Sequence, residues 1–81
     1  MMSTREKLAL MEDMSKTNAQ RVQEFLSAGV THVPPTIAAP LLGCAPYSLN
    51  ISAREHNLPP EAYYFAGRNC RISLRWIAAQ L

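Results

Sequence analysis

Six side chains between positions 47 and 71 have the hydrogen-bonding chemistry to recognise a flat or anionic partner: Tyr47, Ser48, Asn50, Arg54, Arg68 and Arg71. Asn50 and Arg54 stand four residues apart, so on a helix they share a face. An Asn amide can pair in bidentate fashion with the edge of adenine and an Arg guanidinium with that of guanine, while Tyr and Ser hydroxyls reach phosphate oxygens. With Leu49 and Ala53 turned inward, a helical wheel places Tyr47, Asn50, Ile51 and Arg54 outward. Each has an ordinary alternative. Tyr47 and Ile51 can pack on the N-terminal helix, Arg54 can pair with a neighbouring carboxylate, Arg71 can pack across a strand pair, and Arg75 can be a solvated helix residue.

Other chemistries find less support. His32, Cys44, His56 and Cys70 are four potential zinc ligands, but none forms a close CxxC or HxxxH pair. Both thiols are therefore expected to be free and reduced, with no metal and no cofactor. No Ser, His and Asp arrangement, Gly-rich phosphate loop or close carboxylate pair stands out, and 81 residues leave no room for a deep cleft, so an enzyme is not expected.

Composition bounds the fold. With 48% apolar and 17% charged residues the chain should form one globular domain rather than remain disordered. There is no N-terminal hydrophobic run and no long apolar stretch, so neither a secretory leader nor a membrane partner is expected, and the setting is read as cytoplasmic. The net charge of +2 is modest but unevenly placed. Residues 1 to 28 balance Arg5, Lys7, Lys16 and Arg21 against Glu6, Glu12, Asp13 and Glu24. From residue 29 onward, Arg54, Arg68, Arg71 and Arg75 face only Glu55 and Glu61. The excess is all arginine, the cation suited to bidentate contacts with phosphates and base edges.

The elements that would position these residues follow from local signals. Residues 3 to 29 hold two capping-box patterns, Ser3 to Glu6 and Thr17 to Gln20, and end at Gly29, which predicts one long helix or two with a break near Ser15 to Thr17. Leu8, Met11, Val22 and Phe25 form a heptad-like row, read either as packing on the chain's own domain or as a homodimer interface. "VTHVPPTIAAP" reads as a linker whose Thr36 caps a short helix over Ile37 to Leu42, with Pro40 awkward inside it. Gly43 supplies the turn, and a second helix runs from Pro46 to about His56. β-formers on both sides of "GRN" predict a two-stranded hairpin with its loop at Gly67 to Asn69. Ser73 caps a last helix carrying Leu74, Ile77, Ala78 and Leu81 on one face, and Trp76, Ile77 and Leu81 are read as core.

A helix-turn-helix needs a small residue at the helix crossing, a turn residue tolerant of positive φ, and an apolar residue returned to the core by the second helix. Ala39, Gly43 and Leu49 meet these needs in order. The hairpin and capped helix that follow complete a winged arrangement. Residues 36 to 81 resemble the excisionase-type, MerR-like winged helix-turn-helix domains of phages and mobile elements, with "IAAPLLGCAPYSLN" matching their first two helices and "GRNCRIS" their wing and following helix cap.

The fold class that follows is mainly α: a winged helix-turn-helix with a small two-stranded β-hairpin wing and an extra N-terminal helical segment. Residues 1–29 would form that segment and residues 30–81 the DNA-binding domain. The resemblance implies that the second helix enters the major groove of double-stranded DNA and that Arg68 at the hairpin tip meets the backbone or minor groove. It implies sequence-specific DNA binding by an excisionase-like accessory factor or small transcriptional regulator, with an integrase or other phage protein as a further partner. The chain closes inside its last helix, so no effector-sensing domain is expected, which favours an architectural or recombination factor. The alternative is a protein-interaction module, for phage assembly or of a small-terminase kind, built on the same fold.

Overall fold

The computed structural model describes residues 2–81. Both capping boxes form: the Glu6 N–H donates to Ser3 Oγ at 3.2 Å and the Gln20 N–H to Thr17 Oγ1 at 3.1 Å, each glutamate or glutamine side chain accepting in return from the cap N–H. They start separate helices, α1 (Thr4–Glu12) and α2 (Asn18–Ser27), so the broken form of the N-terminal segment is the one adopted. In the turn between them Asp13 Oδ1 accepts from the Ser15 hydroxyl and N–H, at 2.6 and 3.0 Å, which holds the Asp13 carboxyl below its ordinary pKa.

The break resets the helical phase, so the predicted heptad row is not one seam. Val22 and Phe25 are fully buried, while Leu8 is 51% exposed and Leu10 is the α1 residue in the core.

β1 (His32–Val33) follows, inside the stretch expected to be a linker, and makes the sheet three-stranded rather than a two-stranded hairpin. α3 (Pro35–Leu42) begins earlier than its expected cap: Pro34 is the N-cap and Pro35 the first helical residue, so Thr36 lies inside the helix. The fixed φ of proline suits that position, where its missing N–H removes no bond. Pro40 is exposed and withdraws only the bond to the Thr36 carbonyl, a loss that a helix of two turns held on its buried side can carry. Gly43 ends α3 at φ 77°, a conformation open to glycine without strain.

α4 (Pro46–Arg54) is shorter than expected at its C-terminus. His56 takes φ 57°, and its N–H and that of Asn57 return to the carbonyls of Ala53 and Ser52, closing the helix with a Schellman motif built on a histidine. Ala39 and Ala53 are fully buried, which lets α3 and α4 approach closely.

A 3-10 turn at Pro60–Ala62 leads into β2 (Tyr63–Ala66) and β3 (Asn69–Ser73), and α5 (Leu74–Gln80) completes the chain. The sheet is antiparallel in the order β1-β3-β2. Ala66 pairs with Asn69, so the hairpin loop is two residues, Gly67 and Arg68, one shorter than the sequence suggests. Gly67 has φ 66° at the first central position, where a type II′ turn requires glycine. Ser73 caps α5 through the Trp76 N–H. Leu74 and Ile77 enter the core and half-buried Trp76 packs against it, whereas Leu81 is 53% exposed beyond the helix end and is not the core residue expected.

One hydrophobic core joins Leu10, Val22 and Phe25 to Val33, Leu41, Leu49, Ile72, Leu74 and Ile77, so residues on both sides of position 30 share it. A polar network adds to this. Arg21 donates to the Leu10 and Asp13 carbonyls and to Asn18 Oδ1, and Asn18 Nδ2 donates to the Pro40 and Leu41 carbonyls. Carbonyls at and just beyond the C-terminal end of α1, and in the last turn of α3, thereby gain side-chain donors from α2. The molecule is thus mainly helical with a small antiparallel sheet, and among the described residues no helix is long and apolar enough to cross a membrane.

Candidate nucleic-acid interface

α4 is set by two of its own residues. Leu49 and Ala53 are buried, which fixes its rotation and leaves Tyr47, Ser48 and Arg54 exposed and Asn50 and Ile51 half-buried. Tyr47 is 74% exposed, so it does not pack on the N-terminal helices. The hairpin stands beside α4 because Cys70 and Ile72 of β3 point into the core. The alternate residues of β3, Asn69 and Arg71, therefore face away from it.

Between these elements lies an open concavity of about 380 Å³. Tyr47, Asn50 and Arg54 line it from α4, and Arg68, Asn69 and Arg71 line it from the hairpin. The start of α3, Pro34 to Thr36, closes a third side. Five of the six side chains singled out in the sequence meet there; Ser48 is exposed on the first turn of α4 but does not line the concavity.

Asn69 joins the set through its position in the register. The sequence assigned it to the hairpin loop, and only the pairing with Ala66 shows that it belongs to the strand. The start of α3 also went unrecognised, since a Pro-Pro stretch reads as a connection rather than as a wall.

The electrostatics are one-signed. Three arginines and no carboxylate line the concavity. Among the described residues the only ion pair is Lys16–Glu24 on the opposite part of the chain, so Arg54 is not held by a neighbouring carboxylate. Glu55 turns instead to accept from Asn57 Nδ2 at 3.3 Å. Arg71 is half-buried and donates through Nη1 to the Cys70 carbonyl at 3.1 Å, a contact within its own strand that leaves the rest of its guanidinium available. Cys70 lies beneath this group, and burial raises its thiol pKa, an effect that Arg71 and Arg54 oppose. Arg75 is exposed on α5 and does not join the site.

The sulfur and imidazole groups are not gathered. Among the described residues no three His, Cys, Asp or Glu side chains come together as a metal site, and His56 Nδ1 instead lies 3.0 Å from the Tyr63 hydroxyl. Cys44 is exposed and free, Cys70 buried and free. Compared with protein-family models, curated proteins and solved structures, the chain matches none.

Proposed function

We propose that the chain is a winged helix-turn-helix protein that binds double-stranded DNA, with α3 and α4 as the helix pair and the β2–β3 hairpin as the wing. The observation that supports this most is the meeting of Asn50 and Arg54 with Arg68 and Arg71 around one concavity free of carboxylates. A helix inserted in a major groove needs outward side chains near its N-terminus and a positive flank to hold the adjoining backbone. α4 supplies outward side chains along its length, Tyr47 and Ser48 in its first turn, Asn50 at its middle and Arg54 at its last residue, and the hairpin supplies the flank.

In this reading Asn50 and Arg54 meet base edges, Tyr47 and Ser48 reach phosphates, and Arg68 at the loop contacts the backbone. The role would be that of an excisionase-like accessory factor or small regulator acting in the cytoplasm, alongside an integrase or another phage protein. A second copy pairing through the N-terminal segment would use the α1 surface around exposed Leu8, since Val22 and Phe25 are occupied in the chain's own core.

The alternative of a protein-interaction module draws on a different observation. β2 is an edge strand, and its "YYFA" stretch carries exposed Tyr64 and Phe65 with no charged residue to guard it.

The two are separated by selecting a preferred duplex from a random pool and measuring the affinity of wild-type and Arg54→Ala protein for it and for an unselected duplex. DNA reading predicts that the substitution costs about 1–3 kcal/mol on the preferred duplex, as expected for one bidentate base contact, and less on the other. Equal binding by both proteins to both duplexes contradicts it.

A further inference from the structure

The outer face of the sheet carries a second basic hollow, which nothing in the sequence brought forward. Tyr64 pairs with Arg71, and His32 pairs with Ser73, so strand alternation puts Tyr64, Arg71 and His32 on the same face. The His32 and Tyr64 rings meet edge to face with centroids 4.8 Å apart. Lys7 arrives over them from α1, and the segment from Gly29 to Thr31 forms the remaining wall of a cavity of about 170 Å³.

No carboxylate lines this cavity, and Lys7 enters no ion pair among the described residues. Lys7 is half-buried and lines the cavity from α1. Two cationic residues, a tyrosine and a histidine thus line one hollow, residue types able to donate to a phosphate group. His32 Nδ1 lies 3.0 Å from Thr31 Oγ1, which orients the ring and leaves Nε2 for a ligand.

Arg71 connects this hollow to the α4–hairpin concavity, because it lines both. The two linings, neither of which holds a carboxylate, therefore carry Arg54 and Arg68 on one side of Arg71 and Lys7 on the other. We infer that the DNA contact continues past the hairpin onto the outer face of the sheet, where Lys7, Arg71, Tyr64 and His32 hold a backbone phosphate. The inference rests on the DNA-binding reading and gives the N-terminal segment a part in it: α1 carries a phosphate ligand as well as core residues. The same chemistry would suit free phosphate, and the experiment has an arm for each source.

Affinity of the full chain for duplex DNA is measured across a salt series for the wild type, Lys7→Ala and Lys7→Arg, together with ethylation interference on the bound duplex. In parallel, inorganic phosphate is titrated while the His32 and Tyr64 side-chain resonances are followed. Loss of one phosphate contact lowers the slope of log affinity against log salt by about 0.9. The expected result is that drop in Lys7→Ala, disappearance of one interfering phosphate, and recovery of both in Lys7→Arg. If the wild type binds DNA with a salt-dependent affinity and Lys7→Ala leaves slope and interference unchanged, the site is overturned while the DNA-binding reading stands. If inorganic phosphate shifts the His32 and Tyr64 resonances in that same case, the hollow belongs to free phosphate and the proposal is wrong. If the wild type shows no salt-dependent affinity for duplex DNA, both the reading and the inference fall.

Discussion

Arg21 and Arg54 are both helical arginines, yet their surroundings differ completely. Arg21 on α2 donates to the Leu10 and Asp13 carbonyls and to Asn18, and so ties α1 to α2. Arg54 on α4 is exposed, with Arg68 and Arg71 as fellow cations around one concavity. Lys16 and Arg68 repeat the contrast, the first paired with Glu24 and the second at a hairpin tip without a carboxylate partner among the described residues. At the start of α2 and in the turn before it, Arg21 and Lys16 are bound by acceptors of the same chain and serve stability. On the α4–hairpin face the cations are left open, and such openness is the physical condition for binding an anion.

The sharpest way to break this contrast is through the core that the N-terminal helices share. Phe25 is fully buried, and Phe25→Ala should cost about 3–5 kcal/mol. A domain of this size holds only a few kcal/mol of net stability, so the variant should be largely unfolded by circular dichroism. Deletion of residues 1 to 28 should do the same, because it removes Val22 and Phe25 together. A folded deletion variant would mean that α2 is an appendage rather than part of the core.

The next effect separates the two kinds of arginine. Arg21→Ala should lower unfolding free energy by about 2 kcal/mol, since several charge-assisted bonds to partly buried carbonyls are lost. Arg68→Ala, at an exposed position with no hydrogen-bond or ion-pair partner among the described residues, should change stability by no more than about 0.5 kcal/mol. Urea titrations of the two variants check both values, and a reversal of their order would dissolve the distinction.

The two thiols should differ as the surfaces around them do. Cys44 is exposed, whereas Cys70 is buried with a raised pKa. A thiol-alkylating reagent at neutral pH should modify Cys44 at once and Cys70 only as fast as the protein opens. Equal rates would show that β3 does not seal Cys70 against the core.

Asp13 gives the smallest effect. Its folded pKa is lowered by the Ser15 bonds, so the stability it contributes is present above the ordinary carboxylate range and is lost as pH falls through the lowered value. Asp13→Asn should lower stability slightly at neutral pH and bring the two proteins together in acid, so the variant's acid limb is flatter. Identical acid limbs for the two proteins would remove Asp13 from the account.

Much of this arrangement is legible in the sequence because its signals are local. The two capping boxes, Gly43 at the turn, Pro46 at the start of α4 and Ser73 before α5 each act over three or four residues, and each appears where its chemistry predicts. The misses have the opposite character. β1 is two residues long and exists only because His32 and Val33 pair with Ser73 and Ile72, about forty positions away. The Arg21 and Asn18 network depends on three helix ends meeting, and no spacing within α2 announces it. At the site, the outward face of α4 followed from Leu49 and Ala53, but the membership of Asn69 required the hairpin register, and that of Lys7 required α1 to fold back over the sheet.

The most direct test of the central claim is the affinity of the full chain for an unselected DNA duplex across a salt series, with Arg68→Ala and Arg21→Lys beside it. Open cations on the α4–hairpin face predict that log affinity falls linearly with log salt, that Arg68→Ala reduces the slope by about 0.9, and that Arg21→Lys, if folded, leaves it unchanged. An affinity indifferent to salt, or a slope that Arg68→Ala does not alter, would contradict the claim that these arginines are left open in order to hold DNA.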